Sequence, residues 1–295
     1  MRCNKCGGRP VYFQRYSGQK FCETHFKDYF EYKFRRTIKK YRMLERDEKI
    51  AVALSGGKDS ITALYLLNKI GERMGISLYA IAVDEGIKGY REKTLKNAEK
   101  FCKKYNIPLH ILSFREYFGK TLDEMQRESM GCYNCGVLRR RLLNDKSREL
   151  GASKLATGHN LDDEVQTIMM NYIRGDLERL IRLHKSVDHE KFVKRIKPLS
   201  ELPEKEVAVY ATLQGFNAPL EECPYSANSF REDIKKIIYF LENENPGIKY
   251  SILRGYQKLQ PYLENYSLRE IMNCKICGNP SSSEMCKACQ LEMYM

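Results

Sequence analysis

The chain has 295 residues, enough for one larger domain with small attachments or for two domains. Its 51 Lys and Arg against 38 Asp and Glu give a formal charge of +13, the electrostatic footprint of a nucleic-acid partner. No apolar run reaches the roughly 18 residues of a transmembrane helix, and the opening MRCNKCGGRP lacks the apolar segment of a secretory signal, so a cytoplasmic protein with no membrane partner is expected.

In chain order, residues 1–30 form a small Cys/His module. Residues 31–48 read as a basic helical linker, since Lys33 to Arg42 (KFRRTIKKYR) holds six Lys or Arg with Phe34 and Tyr41 among them. A main domain is expected over 49–265. Lys49 to Leu54 (KIAVAL) is a short apolar run and reads as a buried strand; the loop SGGKDS follows. A helix starting near Ser60 carries Ile61, Leu64 and Leu67 at helical spacing and ends near Gly71–Gly75. ISLYAIAVDEG is a second strand ending in Asp84, YREKTLKNAEKFCKKYN a helix, and IPLHILSF a third strand. A helix containing LDEMQRES comes next, and a cysteine pair opens another, GVLRRRLLNDKSRELG. ASKLATGHNLDDEVQTIMMNYI reads as strand, turn and helix. RIKPLSELPEKEVAVYATLQGF is extended and then helical, and Cys223 lies in a loop before a further helix. A second cysteine module, residues 266–295, closes the chain. Strands alternating with helices predict an α/β fold, a Rossmann-like parallel sheet with helices on both faces. Its ligand belongs beyond the carboxyl ends of the strands, where the loop after Leu54, Asp84 and the turn Thr157–Asn160 fall.

Ser55-Gly56-Gly57-Lys58-Asp59-Ser60 is not a kinase-type phosphate loop. That motif needs glycine where Val52 stands and a hydroxyl where Asp59 stands. The chemistry still suits phosphate. Gly56 and Gly57 permit close backbone approach, the helix start favours an anion, Lys58 adds a positive charge, and Ser55 and Ser60 offer hydroxyls. This motif after an apolar strand resembles the pyrophosphate loop of the N-type ATP pyrophosphatases, the PP-loop family with an adenine nucleotide alpha hydrolase-like fold. The resemblance implies that the loop grips the departing pyrophosphate of ATP, with adenosine across Ala53, Asp84 and Gly158. TGHNLDDE resembles a second signature of the tRNA-modifying branch, with His159, Asp162 and Asp163 near the nucleotide. Asp59 and Asp163 then become Mg²⁺- or phosphate-side residues. Adjacent aspartates at a helix start also suit the helix dipole, so one of them serves equally as a cap.

Eleven cysteines occur in clusters, which in a reducing compartment read as metal or catalytic sites. Cys3-x2-Cys6 with Cys22-x2-His25, and Cys274-x2-Cys277 with Cys286-x2-Cys289, match closed tetrahedral zinc sites, giving two structural zinc ions. Cys132, Cys135 and Cys223 make only three ligands. Three thiolates can hold a [4Fe–4S] cluster with one open iron, or one thiol can carry a persulfide that another resolves. Arg139, Arg140 and Arg141 beside a helix start predict lowered thiol pKa values there. Cys102 is read as a buried helix residue and His110 as a strand residue; His184 and His189 have no ligand-like partners.

The whole constellation resembles the tRNA 2-thiouridine synthetase group. That resemblance implies a [4Fe–4S] cluster on Cys132, Cys135 and Cys223, Arg139 as a basic residue near ATP, and a homodimer. It implies a tRNA thiolase in which the C2 oxygen of a uridine, preferentially the wobble uridine, is adenylated and then replaced by sulfur. Cys132, Cys135, Cys223, Lys58 and Asp59 are the catalytic candidates, with Ser55, Gly56, Gly57, Ser60 and His159 on ATP. The sulfur donor would be sulfide, a persulfide or the thiocarboxylate of a ubiquitin-like carrier. Competing readings are thiolation of a T-loop uridine, a non-redox PP-loop tRNA ligase indifferent to loss of the central cysteines, and an RNA-binding zinc protein that releases no AMP.

Overall fold

The computed structural model describes residues 2–126, 132–183, 191–217, 223–225, 229–263 and 271–293. A hairpin of β1 (Tyr12–Gln14) and β2 (Gln19–Phe21) leads into α1 (Glu23–Lys40). Then come β3 (Lys49–Ala53), α2 (Lys58–Met74), β4 (Ser77–Asp84), α3 (Arg91–Lys104) and β5 (Leu109–Ser113). The short helices α4 (Phe114–Phe118) and α5 (Leu122–Gln126) precede α6 (Cys132–Glu149), β6 (Lys154–Ala156), α7 (Leu161–Ile173), α8 (Leu177–Ile181) and β7 (Lys194–Ile196). The chain continues through α9 (Glu204–Leu213), α10 (Phe230–Glu244), α11 (Ile248–Leu263), a hairpin of β8 (Met272–Asn273) and β9 (Pro280–Ser281), and α12 (Lys287–Met293). His184, His189 and the end of the LDEMQRES segment lie outside the described residues.

Five parallel strands form the central sheet in the order β5-β4-β3-β6-β7. Both faces are covered, which is why the strands read as nearly unbroken apolar runs. Ile50 and Val52 point to one side, into a core with Phe30, Phe34, Leu64 and Tyr210. Ala51 points to the other, with Ile81, Val83, Leu138, Leu142 and Leu155. From β3 the chain moves outward through β4 to β5, then returns by α6 to β6 on the opposite side of β3. The boundary between β3 and β6 is therefore the switch point of the sheet, where a crevice opens at the strand ends.

The basic stretch read as a helical linker is helical as far as Lys40, and one side of it is packed. Up to Lys40 it is the outer face of one continuous helix, α1, whose inner face is Phe26, Phe30, Phe34 and Ile38. This four-residue spacing makes a stripe on one side of a helix, and Phe30 stacks on Tyr210 of α9 at 4.3 Å. A polar knot ties the first hairpin to the same region. Gln14 Nε2 donates to Tyr29 Oη and to Glu206 Oε1, both at 2.8 Å, and Tyr16 Oη donates to Glu206 at 3.0 Å. Lys33 Nζ reaches Tyr29, Glu206 and Tyr250. Helix α11 was not anticipated from the sequence. With α7, α8 and α10 it builds a third apolar cluster around Leu161, Val165, Ile238, Leu253 and Tyr256.

Candidate active site at the carboxyl edge of the sheet

β3 delivers Ser55 to the crevice, and α2 begins at Lys58, two residues earlier than expected, with Gly57 as its cap residue. No side chain caps this helix, so N–H groups of its first turn are left for a ligand. Gly56 has φ +84, and a Cβ there would lie 1.9 Å from the Thr94 carbonyl oxygen; only glycine fits. The loop is pinned from below. Arg91 Nη1 donates to the Ser55 carbonyl at 2.7 Å and Asn97 Nδ2 to the Gly56 carbonyl at 2.7 Å. The Ser55 and Ser60 hydroxyls are 3.0 Å apart. Across the switch point, Gly158 runs so close to α2 that a Cβ would meet Ser60 N at 2.8 Å. The two loops expected to share a ligand are in direct contact.

Lys58 Nζ donates to Glu204 Oε1 at 2.7 Å and to Asp59 Oδ2 at 3.1 Å. Burial opposes its charge, but these two carboxylates raise its pKa, so it is a fixed cation. Asp59 Oδ1 accepts from Asn160 Nδ2 at 3.1 Å. Burial pushes Asp59 and Asp163 above the ordinary carboxylate range, and Asp163 adds to the rise at Asp59. Asp163 Oδ2 closes a capping box on Asn160 N at 3.0 Å, leaving Oδ1 3.9 Å from Arg231. Asp162 is engaged elsewhere, accepting from Glu204 N and pairing with Lys249. Of the two adjacent aspartates, Asp163 thus completes the cap, and its other oxygen makes only the long contact with Arg231. His159 Nδ1 lies 2.7 Å from Thr157 Oγ1. The residue is exposed to solvent. Burial, and then Lys197, bring it down to about 4, so it is neutral at pH 7. The Asp84 carboxylate is turned into its own loop, accepting from Gly86 N at 2.9 Å, and Ala53 is the last residue of β3.

Cys132 opens α6 and Cys135 follows one turn later, buried on its inner face. Cys132 Sγ donates to the Tyr225 carbonyl at 2.8 Å, which brings the segment holding Cys223 against the helix start. Cys223 and Tyr225 pack on the same apolar cluster as Cys135. The lowered thiol pKa expected here is overturned at two of the three. Burial pushes Cys135 up to about 12, with Arg139 acting against it and Glu85, Cys223 and Cys132 adding to it. Burial also raises Cys223. The physical reason is burial, with two of the three arginines already matched: Arg139 Nη1 meets Glu85 Oε1 at 3.3 Å, and Arg141 pairs with Glu292 and Asp145. A soft metal centre must displace these protons as it binds, and three thiols in a partly apolar pocket are a donor set that suits iron–sulfur ligation.

The terminal quartets pass a sharper test. Zn–S bonds of about 2.3 Å in a tetrahedron place sulfurs about 3.8 Å apart. Cys6 and Cys22 sulfurs are 3.7 Å apart, and so are those of Cys277 and Cys286. His25 Nδ1 lies 3.2 Å from Cys22 Sγ and 3.7 Å from Cys3 Sγ. In each quartet all four donor atoms fall within 4.8 Å of one another. Burial works against ionisation of Cys3 and Cys274, but backbone N–H groups bring both down to about 6. Both quartets fit zinc. The second is docked on α6, with Ala288 and Leu291 of α12 in the core beneath Cys135.

A family model described as a PP-loop domain matches residues 27–238, and one described as the N-terminal LIM domain of 2-thiouridine synthetase TtuA matches residues 2–27. A solved structure titled U34-tRNA thiolase NcsA from Methanococcus maripaludis with its [4Fe-4S] cluster superposes with a TM-score of 0.89. It shares 43% identity, over 100% of this chain and 96% of that one. The chain belongs to the TtuA/NcsA group of the PP-loop superfamily. A relative from Methanocaldococcus jannaschii, named a probable sulfurtransferase, is 42% identical over 98% of this chain and 86% of its own. Another from Pyrococcus horikoshii, named tRNA-5-methyluridine(54) 2-sulfurtransferase, is 37% identical over 98% of this chain and 93% of its own.

Within this TtuA/NcsA frame, the residues missed from the sequence are those joining the two halves of the site. Buried Glu85 takes Arg91 Nε at 2.9 Å and Arg139 at 3.3 Å. Arg91 in turn holds the phosphate-loop carbonyl of Ser55, and Arg139 lies beside Cys135 and Cys223. Glu85 follows the singled-out Asp84, but adjacent residues leaving a strand point opposite ways, and it is Glu85 that meets Arg91 and Arg139. Glu204 and Lys249 carried no motif and lie far along the chain from their partners.

Proposed function

We propose that the chain is an ATP-dependent tRNA 2-sulfurtransferase that adenylates the C2 oxygen of a uridine and replaces it with sulfur. The observation that carries this reading is the bridge Ser55–Arg91–Glu85–Arg139, which links the phosphate loop to the helix that carries Cys132 and Cys135. The pyrophosphate of ATP enters the Ser55–Ser60 loop, where the uncapped start of α2 and Lys58 meet its charge. Lys58 is held ready by Glu204, and Asp59 with Asp163 Oδ1 would hold Mg²⁺. The base lies over the strand ends near Ala53 and Gly158. Attack of the uridine C2 oxygen on the α-phosphate releases pyrophosphate and makes C2 electrophilic. Sulfur then attacks C2 and AMP leaves. A [4Fe–4S] cluster on Cys132, Cys135 and Cys223 would supply an open iron to carry that sulfur. Neutral His159 and Arg139 line the path between the two halves.

We take the wobble uridine as the target, supported by the 43% identity and close superposition with the U34 thiolase. The T-loop uridine is the second reading, supported by the relative named for position 54. Sulfide, a persulfide or a ubiquitin-like thiocarboxylate carrier suits the chemistry as donor. Zinc in both terminal quartets and a cytoplasmic location suit the free thiols, and no described helix is long and apolar enough to cross a membrane. Exposed apolar side chains on α10 and α11, Ile237, Tyr239, Phe240 and Tyr262 among them, would suit a homodimer. Comparison of tRNA nucleosides from cells with and without the gene tests the proposal: 2-thiouridine should disappear, and its persistence in a strain with no second thiolase would overturn it.

A further inference from the structure

Helix α6 brings more than two cysteines to the crevice. Tyr133, the residue after Cys132, is 52% exposed, and the Arg179 guanidinium lies over its ring at 5.9 Å. Arg140 folds back over the first turn of α6. Its Nη1 lies only 3.0 Å from where a Gly136 Cβ would be, so the glycine beside Cys135 makes room for this guanidinium. Arg195 approaches from the sheet. It sits on β7 in register with Leu155 of β6, and Leu155 packs with Leu138 and Leu142 of α6. Register partners share a face, so Arg195 stands on the α6 side.

Arg140 and Arg195 keep solvent access and lie near enough to sense each other's charge. Burial first, and then Arg195 and Arg139, bring Arg140 down to about 10. Arg139 and Arg141 have carboxylate partners. Among the described residues, Arg140 and Arg195 have none. Two exposed guanidiniums on one side of the sheet with no carboxylate partner leave their forked donors open to an anion, and those donors suit phosphate oxygens. The half-exposed ring beside them narrows the choice. An inorganic anion gains nothing from an aromatic face, whereas a nucleotide offers both a base to stack and a phosphate to clamp.

We propose that Tyr133, Arg140 and Arg195 form the seat of the target nucleotide: the Tyr133 ring stacks on a base splayed out of its strand, and the two arginines hold the phosphodiesters flanking it. This rests on the tRNA reading above. It places the extruded base next to Cys132, the residue before Tyr133 at the start of α6.

The test is binding of an unmodified tRNA transcript to the full chain over a series of salt concentrations. ATP affinity and the melting temperature serve as controls for folding. Arg140→Ala with Arg195→Ala should flatten the plot of log affinity against log salt by about 1.4, two phosphate contacts at roughly 0.7 each. Arg140→Lys with Arg195→Lys should keep the slope. Tyr133→Ala should weaken binding roughly 5- to 100-fold with the slope unchanged, and Tyr133→Phe should restore it. An unchanged slope in the double alanine variant, or Tyr133→Phe as weak as Tyr133→Ala, overturns the seat alone. A wild-type protein that binds no tRNA overturns the tRNA reading and the seat with it.

Discussion

Substitution of Gly56 by Ala isolates the geometry of the phosphate loop. At φ +84, any L-residue costs about 1–2 kcal/mol. The added Cβ would lie 1.9 Å from the Thr94 oxygen and 2.7 Å from its carbonyl carbon, where contacts of about 3.5 Å are normal. The loop or the first turn of α3 must therefore yield by more than about 1 Å. That turn is tied down by Arg91, which bonds Val83 O and Thr94 Oγ1, so the loop gives way and its bonds from Arg91 and Asn97 are strained. A displacement of about 1 Å at reacting groups costs on the order of a hundredfold in turnover. Gly57→Ala is the matched control. Gly57 has φ −82, and its nearest neighbour is Ser55 Oγ at 3.5 Å, so only the modest preference for glycine at a helix cap is lost, about 1 kcal/mol or less. Pyrophosphate release in the presence of tRNA should fall roughly a hundredfold in Gly56→Ala, with melting lowered by about 2–8 °C. Gly57→Ala should stay within about fivefold of wild type. Equal losses in the two variants, or a fully active Gly56→Ala, would refute the reasoning.

Lys33→Met leaves the fully buried Glu206 carboxylate without its cation and should cost about 3–5 kcal/mol in urea unfolding. Adding Glu206→Gln should recover part of that loss, a coupling that a double-mutant cycle reads directly. Burial opposes ionisation of Glu48, but Lys154 at 2.7 Å holds it below its ordinary value. Its contribution is therefore full above about pH 4.5 and fades as pH falls through the lower folded value. Glu48→Gln should lose about 1–2 kcal/mol at pH 7 and show a flatter decline in urea midpoint between about pH 5 and pH 3 than wild type. Cys274→Ser should remove one zinc per chain by metal analysis and leave the N-terminal zinc in place, because the quartets share no ligand. It should also lower the melting temperature, because α12 packs on α6 through Ala288, Leu291 and the Glu292–Arg141 pair.

Features carried by contiguous residues were legible before the structure. The apolar runs became β3, β4 and β5, the SGGKDS loop sits at the switch point, and the terminal cysteines converge in quartets. Long-range pairing was not legible. Lys58 meets Glu204 across 146 positions, and nothing local in either segment marks the pair. Charge also concealed packing: the lysines and arginines of α1 suggested a basic helical linker, while the Phe26, Phe30, Phe34 stripe beneath them is core. At α6 the arginine triplet suggested acidic thiols, but Glu85, Glu292 and Asp145 draw off two of the three cations and burial dominates at Cys135. Helix α11 has period but no motif, and its apolar residues acquire meaning only against α7 and α10.

The most direct measurement is anaerobic turnover of the purified chain with unmodified tRNA, ATP and sulfide, with nucleosides identified by mass spectrometry and AMP counted in the same reaction. One AMP should appear for each 2-thiouridine formed at the wobble position. Both should require an intact Gly56 loop, and thiolation should be lost on changing Cys132, Cys135 or Cys223 to Ser. Sulfur entering tRNA without AMP, or undiminished thiolation by the serine variants, would contradict the account.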